Sequence, residues 1–539
     1  MVKGEKFCLE IKPGNPQTRT WFGDFLLAMK NTTFAKRIMI QGTGSGVGKS
    51  VIVAALCRIF KQDGYKVAPF KAQNMALNSF VTRNGGEMGR AQVVQAEAAG
   101  IEPTVDMNPI LIKPTSDVGA QIIVRGKVVG NMSAHYYHNH KPELIQVVSD
   151  SFFKLAKEYE IVVIEGAGSP AEVNLRKSDI VNMKMAEIAD SPVLLVGDID
   201  KGGVFAWLIG TLELLTEEER KRVKGLIINK FRGDINILKP GLDYLEERSG
   251  KDVLGVIPYF KDIWIEEEDS LSLEKARYSF IPEKSKISIE ILYLPHISNF
   301  TDFDPLEEEE DVCLRYVGRG ERIGDPDLLI IPGSKNTIDD LAYLKGTGYE
   351  EQILARVRKG TKILGICGGY QMLGKEIRDP YHIESSRGRI EGLGLIDAFT
   401  VLKKDKITSQ VKAHLEKNKF FSSKGKIKGY EIHTGRTNLL KEVTPFFRIT
   451  ERFSRPVNIK DGAIGKEGRV FGTYIHGIFD DHIFRRDFLN YIRKTKGLPS
   501  YFPSRKVSIR ERKEKEYDKL ADIVRRSLDM KKIYKIMGL

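Results

Sequence analysis

A glycine-rich segment early in the chain has residue types that suit a nucleotide phosphate. Residues 41–50 read QGTGSGVGKS and lie between an apolar run and a helical pattern. Glycines let backbone N–H groups turn towards phosphate oxygens, a lysine neutralises their charge, and a hydroxyl reaches Mg²⁺. The spacing departs from the standard motif, because Thr43 stands where the first glycine would be and Gly42 precedes it. The segment predicts an ATP site made by Gly42, Thr43, Gly46, Gly48, Lys49 and Ser50.

Later apolar runs end in polar side chains that could act at the same loop. Glu165 ends the run IVVIE, and a carboxylate there would face the crevice where ligands bind in parallel sheets. Together with Ser50 it predicts a magnesium site, since carboxylate and hydroxyl oxygens suit that ion. Asp198 and Asp200 end another run and are further candidates. Asn229 ends the next one, where its amide is predicted to read the adenine edge, although a turn-forming asparagine is the simpler interpretation.

A second group of residues indicates nucleophilic chemistry on a carboxamide. Cys367 lies between glycines in GICGGYQ after the run TKIL, the context of a sharp strand-to-helix turn that exposes a nucleophile. His476 follows another apolar run and could act as acid and base for the thiolate. The backbone N–H groups of Gly368, and of Gly333 at the end of an earlier run, are predicted to bind the oxyanion. The sequence therefore predicts two separate reactive centres.

Alternating strand and helix patterns predict where both reactive centres lie in the fold. Such alternation predicts an α/β fold, in which helices cover both faces of a parallel sheet and the strand ends carry the site. The first helices are predicted at 49–62 and 89–99. The predicted strands lie at 37–40, 66–70, 161–165, 192–199, 225–230 and 253–258 in a first series, and at 287–294, 327–334, 361–367 and 469–477 in a second.

The patterns divide the 539 residues into five segments. Residues 1–35 precede the first strand pattern and lack the features of a signal peptide. They are predicted to be a flexible extension, or an artefact of start-site choice, since Met29 could also begin a chain. Residues 36–262 are predicted to form a P-loop domain, the charged stretch at 263–285 a linker, and residues 286–500 a second domain. Residues 501–539 are charged and helical with an apolar stripe, and are predicted to pack on the second domain.

Composition excludes several classes of protein. Apolar residues make up 41% and charged residues 29%, which is typical of a folded globular chain rather than a disordered or collagen-like one. No apolar run approaches the ~18 residues of a membrane span. The four cysteines are far apart, which argues against a disulfide framework or a zinc site and favours the reducing cytoplasm. The net charge of +13 fits nucleic acid, an anionic membrane or an acidic small substrate alike.

The two centres together resemble a known enzyme family. The Cys367 segment is similar to class I glutamine amidotransferases, which implies a flavodoxin-like domain, and the P-loop half is similar to dethiobiotin synthetase and related ATP-dependent ligases. The cobyrinic-acid amidating enzymes join both halves in this order. The supporting segments, in order over about residues 36–500, are FKAQNM (70–75), GRAQ (89–92), MNP (107–109), KPTSD (113–117), GAGSPAE (166–172), DKGGVF (200–205), NKFRGD (229–234), SNFTDFD (298–304) and GYEIH (429–433).

The resemblance implies an ATP- and glutamine-dependent carbon–nitrogen ligase of cobalamin biosynthesis. Its substrate would be adenosylcobyrinic acid a,c-diamide, whose b, d, e and g carboxylates become amides through acyl phosphates, giving adenosylcobyric acid. ATP with Mg²⁺ and glutamine would be the co-substrates, and neither nucleic acid nor membrane is an expected partner. Lys71, Arg90 and Lys113 lie in the matching segments and are predicted to face the polycarboxylate, although such residues are more often solvated surface charges.

One position departs from ordinary triad amidotransferases. Those enzymes carry His-x-Glu, in which the glutamate orients the imidazole, but Ile478 stands at that position here. The resembling family shares this departure. Asp480 is near His476 in sequence, and Glu431 or His433 could approach it in space, so the orienting group stays open.

Three other functions are compatible with parts of the sequence. A cobyrinic acid a,c-diamide synthase would use the same chemistry on other carboxylates, and the segments at 70–117 and 298–304 argue against it. A non-catalytic P-loop switch ATPase would have no need of Cys367. A regulatory protein with an inactive amidotransferase fold would account for the missing glutamate.

Overall fold

The structure, a computed structural model, describes residues 35–115, 119–260, 262–266, 283–421, 425–440, 443–503 and 509–539. The predicted extension over 1–35 lies outside the described residues except for Ala35, and so does most of the predicted linker over 263–285. Among the helices described, none combines the length and the apolar sequence that crossing a bilayer requires.

A parallel sheet forms the centre of the first half. The strands of this half are β1 (Lys36–Gly42), β2 (Val67–Phe70), β3 (Gln73–Met75), β4 (Ser79–Val81), β5 (Glu87–Gly89), β6 (Ile110–Pro114), β7 (Gly119–Val124), β8 (Lys127–Ser133), β9 (Ile161–Glu165), β10 (Val193–Asp198), β11 (Val223–Phe231) and β12 (Val253–Pro258). The sheet has the order β12-β11-β10-β1-β9-β2, with parallel pairing throughout. All six strands predicted for the first series are confirmed.

Helices cover both faces of this sheet, which is why strands such as β9 are buried along their whole length. The predicted helix at 49–62 is confirmed, and the one predicted at 89–99 begins one residue later. The helices of the first half are α1 (Lys49–Gln62), α2 (Arg90–Ala99), α3 (Ala134–His140), α4 (Ile145–Glu158), α5 (Met183–Ile188), α6 (Val204–Leu214), α7 (Glu217–Arg222) and α8 (Ile235–Ser249).

A small second sheet interrupts the first half between β2 and β9. Its order is β3-β6-β7-β8, and β4 pairs with β5 in a separate hairpin. The sequence patterns did not predict these strands, because they are short and β8 is mostly exposed or half-buried. They build a wall beside the carboxyl ends of the parallel strands.

The second half contains a flavodoxin-like sheet. Its strands are β13 (Ile287–Leu292), β14 (Ile297–Ser298), β15 (Val312–Val317), β16 (Leu328–Ile331), β17 (Gly333–Ser334), β18 (Lys362–Ile366), β19 (Glu376–Arg378), β20 (Arg389–Glu391), β21 (Ala398–Leu415), β22 (Lys426–Leu439), β23 (Phe447–Arg452), β24 (Arg455–Asp461), β25 (Ala463–Gly465) and β26 (Val470–Thr473). The parallel strands follow the order β15-β13-β16-β18-β26, which is the 2-1-3-4-5 order of flavodoxin-like folds. All four strands predicted for the second series are confirmed.

A mostly antiparallel sheet adjoins the flavodoxin-like one. Its strands β21 and β22 are long, and β21 carries many half-exposed positions, which hid it from the strand patterns. The helices of the second half are α9 (Asp304–Glu307), α10 (Thr337–Gly346), α11 (Tyr349–Arg358), α12 (Gly368–Leu373) and α13 (His482–Thr495).

The C-terminal helices pack on the first half, so the prediction that they pack on the second domain is wrong. They are α14 (Ile509–Ser527) and α15 (Met530–Met537). Arg58 of α1 donates to Glu514 and Asp518 of α14, each at 2.7 Å. The turn after α14 lies so close to β12 that a Cβ on Gly255 would be 2.0 Å from a backbone oxygen of Ser527. The apolar stripe predicted a buried face, but a stripe does not identify its partner.

Shortening an apolar side chain on the buried face of α14 should destabilise the first half. Leu520 is fully buried in the core that contains α1, so Leu520→Ala should lower the free energy of unfolding by about 2–4 kcal/mol through lost packing. Urea denaturation of the full chain would measure the loss. Arg526→Ala, at an exposed position of the same helix, is the control and should change little. Equal stability of both variants would contradict the docking described here.

Candidate functional site

The glycine-rich loop has the geometry of a phosphate cradle. It joins the end of β1 to the start of α1, and Gly46 and Gly48 take φ angles of 72° and 100°. A Cβ on Gly48 would lie 2.2 Å from Nδ2 of Asn229, so only glycine fits there. Helix α1 begins at this loop, and the first N–H groups of a helix have no partner within the helix and can bind an anion.

The neighbouring strand β11 braces this loop. Asn229 donates from Nδ2 to the oxygen of Val47 at 2.8 Å. Lys230 donates from Nζ to the oxygen of Gly46 at 2.6 Å and to the buried carboxylate of Asp198 at 2.8 Å. The amide nitrogen of Asn229 therefore holds the loop, and the contact of this residue with a base stays a prediction.

Lys49 reaches across the mouth of the cradle. Its Nζ donates to the oxygen of Gly44 at 2.7 Å and to the oxygen of Gly168 at 2.9 Å. Gly44 belongs to the loop, and Gly168 belongs to the turn that follows β9. The ammonium group is thus held between two backbone segments, at the position where the β- and γ-phosphates of a nucleotide would bind.

Glu165 is the centre of a buried polar cluster next to the loop. Its Oε1 accepts hydrogen bonds from Ser50 at 2.8 Å and from Lys71 at 2.7 Å, and its Oε2 accepts one from Gln95 at 2.5 Å. Burial alone would raise the pKa of Glu165, but the Lys71 ammonium group and these hydrogen bonds lower it. The carboxylate is therefore ionised.

The oxygens of Ser50 and Glu165 suit a magnesium ion bound together with a nucleotide. Among the described residues, no group of three or more His, Cys, Asp or Glu side chains is arranged to hold a metal. A hydroxyl and one carboxylate, completed by phosphate oxygens and water, form the type of site that Mg²⁺ prefers over an all-protein cage. The residues present therefore fit Mg²⁺ that arrives with ATP.

Cys367 lies on a strained turn between β18 and α12. Its φ of 52° and ψ of −105° are unusual for a residue other than glycine, and such strain generally costs about 1–3 kcal/mol. Glycine after the cysteine lets the turn approach the neighbouring strand, because a Cβ on Gly369 would lie only 1.9 Å from the backbone oxygen of Ile331. This is the elbow that the GICGG spacing predicted.

Gly333 and Gly368 lie beside the sulfur-bearing turn. A Cβ on Gly333 would lie 3.3 Å from Cε1 of His476, and one on Gly368 would lie 2.9 Å from the backbone nitrogen of Ser334. The structure thus brings the strand end at 333–334 against the first residue of α12. Backbone N–H groups converging beside a nucleophile are what an oxyanion hole requires.

Asp302 orients His476. Nδ1 of His476 lies 2.6 Å from Oδ2 of Asp302, whose other oxygen accepts the N–H of Gly477 at 3.0 Å. Nε2 is buried and has no hydrogen-bond partner among the described residues, and His476 and Cys367 line the same small cavity. Burial alone would lower the pKa of His476, but the charges of Asp302 and of the Cys367 sulfur raise it to about 10. Cys367, His476 and Asp302 thus lie together in the arrangement that a Cys–His–Asp triad requires, and they are called the triad below.

Sequence reasoning missed Asp302, although it lies in the segment SNFTDFD that supported the resemblance. The three groups considered for this role have other surroundings. His433 lies 3.3 Å from Glu431, which also pairs with Arg452 at 2.7 Å. Burial raises the pKa of Asp480 to about 6, and the position beside Nδ1 of His476 is taken by Asp302.

The structure brings Lys71 to the P-loop cluster but places Arg90 and Lys113 elsewhere. Arg90 is buried and binds both oxygens of Glu266 at 2.6 and 2.8 Å. Lys113 is buried, donates to Glu87 at 2.9 Å, and lines the cavity that contains Cys367. Their charges are satisfied inside the protein, which does not support the predicted contact of these two residues with a corrin carboxylate.

Two protein-family models match the chain, one for each half. Residues 38–273 match the CobQ/CobB/MinD/ParA nucleotide binding domain, and residues 288–484 match the CobB/CobQ-like glutamine amidotransferase domain. The first match covers the phosphate cradle and the polar cluster around Glu165. The second covers the triad.

Curated relatives match nearly the whole chain. The cobyric acid synthases of Thermoanaerobacter sp. (strain X514) and Caldanaerobacter subterraneus subsp. tengcongensis are each 56% identical over 507 residues, which is 93% of this chain and 99% of theirs. That of Alkaliphilus metalliredigens is 56% identical over 505 residues with the same coverage. The chain belongs to the cobyric acid synthase family.

Membership in the cobyric acid synthase family agrees with both centres of the structure. A P-loop switch ATPase would not require an amidotransferase domain. An inactive amidotransferase would not be expected to keep a strained Cys367, a buried His476 and an orienting Asp302 in one cavity. The chain is a glutamine-hydrolysing amidating ligase.

Removing the charge of Asp302 should disable the triad. Asp302→Asn should lower kcat for glutamine hydrolysis by about 100-fold or more, with little change in KM, because the imidazole loses both its orientation and its partner charge. The pKa of His476 should fall from about 10, so the alkaline limb of the pH profile should move to lower pH. Steady-state kinetics across pH 6–10 would measure both effects.

Asp304→Asn is the matched control for this prediction. Asp304 is two residues away and half-buried, and burial and the nearby Glu266 raise its pKa well above the ordinary value. Because Nδ1 of His476 contacts the carboxylate of Asp302 and not that of Asp304, this variant should keep the wild-type profile. If both variants lost activity to the same extent with unshifted profiles, the orienting role of Asp302 would be disproved.

Proposed function

We propose that the chain converts the b, d, e and g carboxylates of adenosylcobyrinic acid a,c-diamide to amides, with ATP and glutamine as co-substrates, giving adenosylcobyric acid. The observation that carries this proposal is one chain with two complete centres, a P-loop with a magnesium-type cluster and a Cys–His–Asp triad. The curated relatives, which are named cobyric acid synthases, support the choice of substrate.

The P-loop centre activates the carboxylate. An oxygen of the substrate carboxylate attacks the γ-phosphorus of ATP, ADP leaves, and an acyl phosphate forms. Lys49 and the N–H groups at 42–50 stabilise the charge on the transferring phosphoryl group, and Lys71 adds a second ammonium group beside Glu165. Mg²⁺, held by Ser50 and Glu165, would neutralise phosphate charge when bound.

The triad releases ammonia from glutamine. The Cys367 thiolate attacks the carboxamide carbon, and the N–H groups of Gly368 and of Gly333 stabilise the oxyanion. Protonated His476 gives its proton to the departing nitrogen, which leaves as ammonia. His476 then takes a proton from water as the water hydrolyses the glutamyl thioester, and glutamate is released.

Ammonia then displaces phosphate from the acyl phosphate, which forms the amide. We infer an internal passage between the two centres, because ammonia that escapes is protonated and lost. In support, Lys113 from the first half lines the triad cavity, and Tyr430 lies between the halves, stacking on His476 at 5.1 Å and donating to the oxygen of Ser79 at 3.4 Å.

The remaining features follow from this function. We propose the domain bounds 36–262 and 286–500, with 263–285 as the linker and 501–539 docked on the first domain. We also propose the cytoplasm as the compartment, since Cys57 is deeply buried and Cys367 must stay a thiol to act as a nucleophile.

Mass spectrometry of the reaction tests the substrate. With adenosylcobyrinic acid a,c-diamide, glutamine and ATP-Mg, the mass of the corrinoid should fall in four successive steps. Each step should equal the mass difference between OH and NH₂, because each amidation exchanges one for the other. Amidation of cobyrinic acid itself, with none of the a,c-diamide, would instead show a cobyrinic acid a,c-diamide synthase. No amidation of either corrinoid would refute the proposed function.

The division of labour predicts opposite behaviour of two variants. Cys367→Ser should lose glutamine-dependent amidation but keep amidation with added ammonium salt, because the synthetase centre is intact. Lys49→Met should lose both, because no acyl phosphate forms. The measurement is amide formation with each nitrogen source. If Cys367→Ser lost both activities while remaining folded, the two centres could not act separately as described.

A further inference from the structure

A large cavity opens beside the phosphate cradle. Its volume is about 420 Å³, and it lies between the small sheet, helix α3 and the turn after β9. Gly168 lines it, and the oxygen of the same residue accepts the hydrogen bond from Lys49. The cavity is therefore continuous with the place where a γ-phosphate would lie.

The walls of the cavity are mainly apolar. Ile112 and Ile122 come from the small sheet, Val181 and Met183 come from the segment after β9, and Met75, at the rim, is 59% exposed. An apolar surface of this kind suits a flat or bulky ligand with a hydrocarbon face, such as a macrocycle. It does not suit a phosphate.

These walls contain a buried cation, Lys141, that lacks a counter-ion within the part of the chain that the structure describes. Lys141 is only 4% exposed and lines the cavity, yet it forms no ion pair or hydrogen bond with the described residues. The charges of Asp179 and Glu172, which line the same cavity, act on it without forming an ion pair among the described residues. A buried ammonium group without a partner is unfavourable, and a ligand carboxylate entering the cavity would remove that penalty.

We propose that this cavity binds the corrin ring of the substrate, with apolar walls against the macrocycle and Lys141 paired with one of its side-chain carboxylates. The inference rests on the proposed function. The same cavity directs another carboxylate of the ring towards Lys49 through the opening at Gly168. The cavity is smaller than a whole corrinoid, so the rest of the ligand extends past Met75 into solvent. Arg90 and Lys113, which lie in ion pairs elsewhere, have no part in this site.

Equilibrium binding of adenosylcobyrinic acid a,c-diamide to the full chain tests the assignment. Lys141→Met removes the charge but keeps the length of the side chain, and it should weaken corrinoid binding, followed by the visible spectrum of the ligand, by tenfold or more. The KM for the corrinoid should rise by a similar factor, while ATP affinity stays unchanged and the melting temperature does not fall, because the buried unpaired charge is removed. Lys141→Arg should restore part of the affinity.

A second pair of variants tests the apolar walls. Ala120→Phe fills the cavity from β7 and should weaken corrinoid binding at least tenfold, whereas Val128→Phe, on the exposed surface of the same sheet, should not. If the wild-type chain amidates the corrinoid but Lys141→Met and Ala120→Phe bind it as tightly as wild type, the assignment is overturned. If these variants weaken ATP binding alone, the cavity holds the nucleotide instead. If the wild type does not amidate the corrinoid at all, the proposed function fails first.

Discussion

The fixed relation of the two reaction centres depends on one buried carboxylate. Glu87 of the first half accepts a hydrogen bond from Lys113 of its own half at 2.9 Å and another from Lys406 of the second half at 2.5 Å. Burial would raise the pKa of Glu87, but these two ammonium groups hold it far below the ordinary range. Removing one partner from such a buried pair generally costs about 3–5 kcal/mol. Loss of either lysine would therefore leave the Glu87 carboxylate buried with only one of its two ammonium partners.

The same interface also positions the triad. The amide side chain of Asn78 accepts the N–H of Phe300, and that of Asn299 accepts the N–H of Ser79, each at 3.1 Å. Both contacts hold the loop that carries Asp302 against the first half. The orientation of His476 thus depends on contacts with the domain that uses the ammonia. The residues that would release ammonia are therefore positioned in part by side chains of the other half.

Local sequence was sufficient for the parts of the site that lie at the ends of parallel strands. The loop after β1, Glu165 after β9 and Cys367 after β18 were predicted because apolar runs, glycines and polar residues follow each other along the chain. Asp302 was not, because it meets His476 across 174 residues and no local pattern records such a contact. The docking of α14 on α1 failed for the same reason, since Arg58 and Asp518 are 460 residues apart.

Charge was the least informative signal in the sequence, for a physical reason. An ammonium or guanidinium group inside a protein needs a counter-charge, and the chain supplies Glu165 to Lys71, Glu266 to Arg90 and Glu87 to Lys113. A net charge of +13 cannot show which cations are neutralised in this way. Only the folded structure separates these paired cations from Lys141, which is buried without an ion pair among the described residues. A binding site for an anion is therefore indicated by a buried cation whose partner is missing, and not by the abundance of cations.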